Sequence, residues 1–242
     1  MNGITVDYSD GVAALKGLLF SDASRAGQRA GLVLFPDARG IGDHAIECAQ
    51  RLAGLGFVVL VADLYGEGRK AVDVAQAREW MTELRADVAR WRARVDAALA
   101  ALARQDMVRA SETAAIGYCF GGTTALELAR SGAALRAVVT FHGGLASPRP
   151  EDSRNIKAKV LVCHGAADKL VPLTQLAEFA DAMSRTSIDW QVQIYGGAEH
   201  GFTNPEADAP DIPDHAYSRI ADVRSWQAML DLFEEVFGIP RR

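Results

Sequence analysis

The segment Gly117-Tyr118-Cys119-Phe120-Gly121-Gly122 lies between the apolar run Thr113 to Tyr118 and the helix-forming run Thr123 to Arg130. It reads as a sharp strand-to-helix turn with a nucleophilic side chain at its tip. Such a turn strains the backbone of its central residue, and a side chain on either flank would collide with the neighbouring strand and helix. Glycines at 117 and 121 meet that requirement. The turn also sets the Cys119 thiol at a helix N-terminus, where unpaired N–H groups and the helix dipole favour a thiolate. The same N–H groups, beginning with that of Phe120, suit a developing oxyanion.

Outward from this turn, short β-branched runs alternate with helical stretches, the pattern of crossover units on a parallel sheet. Strands are predicted at Gly31 to Phe35, Phe57 to Ala62, Thr113 to Tyr118, Ala137 to Phe141, Val160 to Cys163 and Gln191 to Tyr195. Most are apolar on both faces, as covered parallel strands are. Helices are predicted near 44–55, 72–104, 121–131, 173–185 and 215–237. The longest carries Trp80, Leu84, Val88, Trp91, Val95 and Leu102 along one face, which reads as core. Ahead of the alternating pattern, Ile4 to Tyr8 and Ala14 to Phe20 flank Asp10-Gly11 and read as a β-hairpin. Gly144 to Asn155 and the proline-bearing stretch Asn204 to Pro213 read as loops.

An acid and a histidine follow the thiol at later strand ends. Val160 to Cys163 runs into His164-Gly165-Ala166-Ala167-Asp168, and Gln191 to Tyr195 runs into Gly196-Gly197-Ala198-Glu199-His200-Gly201-Phe202. Nucleophile, acid, histidine is the chain order of the α/β-hydrolase triad. His200 is therefore expected to exchange the proton and Asp168 to fix its tautomer. The expected fold is an α/β-hydrolase, a mostly parallel central sheet with an N-terminal β-hairpin and helices on both faces, spanning 1–242 as one domain. His164, next to a glycine, is expected to be a buried hydrogen-bonding group. Cys48 and Cys163 are expected to be small buried hydrophobes.

The elbow at 117–122, the acid loop His164 to Asp168 and the histidine loop His200-Gly201-Phe202 together resemble the dienelactone hydrolase family, over nearly the whole chain. The resemblance implies a Cys-His-Asp triad that hydrolyses enol-lactones and other activated esters, and that requires no metal or other cofactor. It also implies that Asp37, in Phe35-Pro36-Asp37-Ala38-Arg39-Gly40, acts on the resting thiol, and that the N–H of Ala38 is the second oxyanion donor. The family usually carries Glu at that acidic position, so the shorter Asp37 is expected to reach Cys119 only through water or a shifted loop. Dienelactone hydrolases proper also bind the substrate carboxylate with an arginine shortly after the histidine. Thr203 and Asn204 occupy that stretch here, which argues for a substrate other than dienelactone. Arg39, Arg69 and Arg78 are the candidate replacements.

Composition narrows the partners. Of 242 residues 49% are hydrophobic, and the formal net charge is −5 with lysine and arginine dispersed, so nucleic acid is not an expected partner. The apolar runs are strand-sized, far short of the ~20 residues of a membrane span. With no basic-apolar-small leader pattern at Met1 to Asp7, a cytoplasmic protein that does not bind membranes is expected, either monomer or homodimer, with a small-molecule ester or lactone as substrate. His44, His142 and His215 share no metal-ligand spacing.

Two other readings compete. Gly40-Ile41-Gly42-Asp43-His44-Ala45 matches a dinucleotide-binding turn with Asp63 about 20 residues on, which would suit an NAD(P)-dependent oxidoreductase. Against it, Pro36 to Arg39 separates the glycines from the strand end. An inactive hydrolase scaffold that only binds a ligand would not be expected to keep all three triad residues. A thiolate beside two N–H donors stabilises a tetrahedral anion without specifying its central element, so slow hydrolysis of aryl phosphotriesters is expected beside arylesterase activity.

Overall fold

The computed structural model describes residues 2–207 and 214–239. The chain opens with β1 (Ile4–Ser9) and β2 (Ala14–Phe20), an antiparallel hairpin whose turn is held by the Asp10 carboxylate on the N–H groups of Val12 and Ala13. There follow β3 (Arg29–Phe35), α1 (Asp43–Leu55), β4 (Val58–Val61), α2 (Val74–Ala86), α3 (Val88–Ala103), β5 (Val108–Tyr118) and α4 (Phe120–Arg130). The remainder comprises β6 (Ala137–Phe141), a 3₁₀ turn (Pro150–Asn155), β7 (Lys159–Gly165), α5 (Leu173–Ser184), β8 (Trp190–Tyr195) and α6 (Arg219–Phe237). The eight strands form one sheet in the order β1-β2-β4-β3-β5-β6-β7-β8. The strands from β4 to β8 in that order run parallel, while β2 pairs antiparallel with β4.

Alternation along β3 sorts the core into two layers. Val33 and Phe35 belong to the layer under α3 and α4, with Trp91, Val95 and Leu126, a layer that extends to Phe179 of α5. Leu32 and Leu34 point the other way, with Leu52 of α1 and Met229 and Phe233 of α6. Helices thus cover both faces, and the fold is the α/β-hydrolase arrangement that the strand-helix rhythm predicts. Among the described residues no helix is long and apolar enough to cross a membrane.

Three departures from the sequence reading have local causes. The stretch 72–104 is two helices, because Asp87 adopts extended backbone (φ −116, ψ 91) and its side chain accepts from Arg90 N–H as the cap of α3. A short side chain that bonds the following turn competes with continuing the preceding helix. Within the loop from Gly144, Pro150–Asn155 forms a 3₁₀ turn. The last helix begins at Arg219 rather than near 215, with the Ser218 hydroxyl accepting from Ala221 N–H. Of the loop from Asn204 to Pro213, 208–213 lie outside the described residues.

Candidate active site

The centre of the sheet sets the position of Cys119. It directly follows β5, which lies between β3 and β6, and takes a positive φ of 54 with ψ −120 as the residue before α4. The flanking glycines are required by contact: a Cβ on Gly117 would lie 2.0 Å from the Gly121 carbonyl oxygen, and one on Gly121 would lie 2.0 Å from that of Phe35. The turn is closed by the N–H groups of Gly122 and Thr123 on the Cys119 carbonyl. Phe120 is the first residue of α4, so its N–H has no partner within the helix. Its ring stacks on Trp91, 5.5 Å between centroids, which fixes the start of α4 against α3.

β7 and β8 deliver the acid and the histidine to the same edge. The Asp168 Oδ1 accepts from the N–H groups of Leu170 and Val171, both at 2.9 Å, and its Oδ2 lies 2.8 Å from His200 Nδ1. Burial alone would raise the Asp168 pKa, but the His200 contact and the two N–H bonds outweigh it and hold the carboxyl below its usual range. For His200, burial disfavours the imidazolium. The neighbouring Cys119 and Asp168 outweigh that as well and push the His200 pKa up to about 10. His200 Nε2 is buried and makes no hydrogen bond to any described group. Cys119 is half-buried, whereas Cys48 and Cys163 are buried, and burial raises their thiols to about 11 and about 12.

The loop after β3 supplies the facing wall. The Ala38 carbonyl accepts from the Tyr65 hydroxyl at 2.8 Å, and Gly40 N–H closes the turn on the Asp37 carbonyl. The Asp37 carboxylate accepts from Arg39 N–H at 2.8 Å. Between these walls lies a cavity of about 630 Å³ that is bordered by Cys119, Phe120, His200, Asp37 and Ala38. Of the candidate arginines, Arg39 and Arg78 border it. Arg69 is committed elsewhere, with its guanidinium over the Trp80 ring and bonded to the carbonyls of Tyr65 and Gly66. Arg85 and Lys70 also border the cavity, and sequence reasoning did not single them out.

Two histidines passed over in the sequence border the same cavity. His142, directly after β6, has its Nδ1 3.2 Å from the Cys119 N–H and its Nε2 2.9 Å from Thr203 Oγ1. His44 places Nε2 3.1 Å from the Thr203 carbonyl and meets the Tyr118 ring edge-on at 4.7 Å. The available signal was positional: His142 follows β6, next to the strand that carries the elbow. His164 is buried as expected, yet neither ring nitrogen reaches hydrogen-bond geometry. Asp63, the acid of the dinucleotide reading, is buried and accepts from the N–H groups of Lys16, Tyr65, Gly66 and Gly68, which occupies the carboxylate a ribose would need. No group of three His, Cys, Asp or Glu among the described residues is arranged to hold a metal ion.

The sheet order and the elbow define an α/β-hydrolase. More narrowly, the chain belongs to the dienelactone hydrolase family, whose model matches residues 15–237. It is similar over its length to a crystal structure described as a dienelactone hydrolase-like promiscuous phosphotriesterase, P91, from metagenomic libraries. The two share 47% identity and a TM-score of 0.94, with 98% of each chain covered. A probable 2-oxo-3-(5-oxofuran-2-ylidene)propanoate lactonase from Bradyrhizobium sp is 28% identical over 84% of this chain and 83% of its own. A putative carboxymethylenebutenolidase from Synechocystis is 22% identical over 86% of this chain and 87% of its own.

Proposed function

We propose that this chain hydrolyses activated carboxylic esters or lactones through an acyl-cysteine at Cys119, and aryl phosphotriesters more slowly at the same sulfur without a metal. The observation that carries the reading is His200. One ring nitrogen is 2.8 Å from Asp168, the other is buried without a hydrogen-bond partner, and Cys119 is the strongest influence favouring its charge. In the first half-reaction the Cys119 thiolate attacks the carbonyl carbon, the oxygen takes the negative charge, and the N–H groups of Phe120 and Ala38 stabilise it. The carbon–oxygen bond to the leaving group breaks as the His200 imidazolium gives up its proton to the departing oxygen. In the second, His200 takes a proton from water, the hydroxide attacks the thioester, and the carbon–sulfur bond breaks to return the thiolate.

A phosphotriester follows the same sequence at phosphorus. The sulfur–phosphorus bond forms as the aryloxide leaves, and water directed by His200 then breaks it. That second step is the slow one, because water must approach a bulkier tetrahedral centre. The P91 likeness at 47% identity is what favours this side activity here. The site needs no Lewis acid in this reading, since the thiolate is the nucleophile and backbone N–H groups take the oxyanion.

Hydrolysis of p-nitrophenyl acetate and of an aryl phosphotriester by wild type and Cys119→Ala, each with and without chelator, tests the reading. Both activities should vanish in the variant and survive the chelator. Turnover of the phosphotriester that persists in Cys119→Ala, or that chelation removes, overturns its assignment to the thiol. Acid quenching during ester turnover should trap an acetyl mass on the peptide containing Cys119.

A further inference from the structure

Beside His200, the backbone of the nucleophile meets a second histidine that the chemistry above leaves unused. The Cys119 N–H is shared between the Phe141 carbonyl at 3.0 Å and His142 Nδ1 at 3.2 Å. A nitrogen that accepts from an N–H carries no proton of its own. In the neutral ring the proton is therefore on Nε2, which donates to Thr203 Oγ1 at 2.9 Å. His142 is 2% exposed, and burial, reinforced by His200, His44 and His215, holds its pKa well below the ordinary value. Its backbone is itself left-handed, at φ 41. Positive φ is uncommon for a residue with a side chain, and the surrounding contacts hold His142 there.

Both ends of this ring attach to moving parts of the reaction. Cys119 is the nucleophile, and Thr203 stands three residues after His200 on the same loop, whose backbone is pinned by Ser218 N–H on the Phe202 carbonyl. The His142 ring also packs edge-on against His200, with centroids 5.1 Å apart. A charged ring at that distance would drive the proton off His200, whereas a neutral ring leaves the raised His200 pKa intact. On these grounds we infer that His142 is a positioning residue: as the neutral Nε2–H tautomer it braces the Cys119 backbone to the Thr203 hydroxyl and so sets the distance from sulfur to His200. Thr203 is the other half of the brace. The inference rests on the reading that Cys119 and His200 perform the chemistry.

Thr203 allows a test in which packing and hydrogen bonding predict opposite results. Thr203→Val keeps the shape and removes the acceptor; Thr203→Ser keeps the hydroxyl and removes a methyl group. With p-nitrophenyl acetate, Val should lower kcat by about tenfold or more at nearly unchanged KM, while Ser should stay within about threefold, since a donor left unpaired in a dry site costs more than a lost methyl. Thermal unfolding of both variants checks that they fold. Any other ordering of the two variants overturns the inference. In ¹⁵N-histidine spectra of the wild type, His142 should show an unprotonated Nδ1 and a protonated Nε2, unchanged between pH 5 and pH 9. A ring that titrates in that range, or shows the opposite tautomer, also overturns it. Cys119→Ala separates the two claims. An active Cys119→Ala sinks the nucleophile assignment, whereas an inactive one beside the wrong Val and Ser ordering sinks only the brace.

Discussion

The cavity has two walls that are built differently. On the elbow wall the groups that hold the site in place are bonded to one another: Cys119 N–H to Phe141 and His142, His142 to Thr203, His200 Nδ1 to Asp168, and Asp168 to two backbone N–H groups, while His200 Nε2 is left without a partner among the described residues. The α2 wall is loose. Only Ala77 and Leu84 of that helix are buried, and Arg78 and Arg85 reach the cavity border from exposed positions two turns apart. The difference separates the chemistry from the choice of substrate. Reaction geometry sits on parallel strand ends that cannot shift without breaking the sheet, while the surface that meets the rest of the substrate sits on a helix with few contacts to lose.

The largest test of that division is to remove the base. His200→Ala should lower kcat for aryl esters by on the order of a thousandfold or more, and Asp168→Asn by somewhat less, because triad members act as a unit. Substitutions on the α2 wall should never approach such losses. Steady-state kinetics on the same substrate decides it, and an unchanged rate in His200→Ala would move the base to another group on the elbow wall.

The elbow wall was also the legible one. Gly117, Cys119 and Gly121 announce the turn because backbone contact at 2.0 Å permits nothing larger than glycine on its flanks, and such constraints leave a mark in sequence. Asp168 and His200 could be picked out because each follows an apolar strand, and the structure brings the two within 2.8 Å of each other. His142 was not picked out, although it also follows such a strand: a single histidine has many uses, and its role depends on a left-handed backbone and on Thr203, 61 residues away in sequence. The break at Asp87 was hidden by hydrophobic periodicity, since Trp80, Leu84 and Trp91 keep helical spacing across it while the cap that divides the helices is one short polar residue. The cavity roles of Arg78 and Arg85, and the commitment of Arg69 to Trp80, depend on how α2 lies over the site, which strand patterns do not encode.

An intermediate effect should appear in stability against pH. His200 has its pKa raised from 6.5 to about 10 in the folded chain, so the folded state binds the extra proton. Stability then falls with rising pH wherever folded protein holds more protons than unfolded. The contribution is fully present below about 6.5 and is lost as pH rises through about 10. Denaturant unfolding of wild type and His200→Gln across this range should show the stability difference shrinking toward alkaline pH. In Cys119→Ala the decline should begin at lower pH, because Asp168 alone then favours the imidazolium. A difference that grows with pH would mean that His200 folds as the neutral base, and would remove the electrostatic link between the sulfur and the ring.

The smallest effect belongs to the α2 wall. Arg78 and Arg85 are exposed, so solvent and salt screen them, and an exposed charge contact is worth about 1 kcal/mol at most, or several-fold in affinity. A double Arg78→Ala, Arg85→Ala variant should therefore raise KM several-fold for an aryl ester that carries a remote carboxylate, with kcat unchanged, and leave neutral p-nitrophenyl acetate alone. Adding salt to the wild type should reproduce the change, since screening acts on the same attraction. Of these two, only Arg78 stood with Arg39 and Arg69 among the candidates from sequence, so the single variants sharpen the result: comparable shifts from each would show a shared anion-facing rim. A loss of kcat on the neutral ester would instead tie α2 to the reaction geometry, and the division between the two walls would not hold.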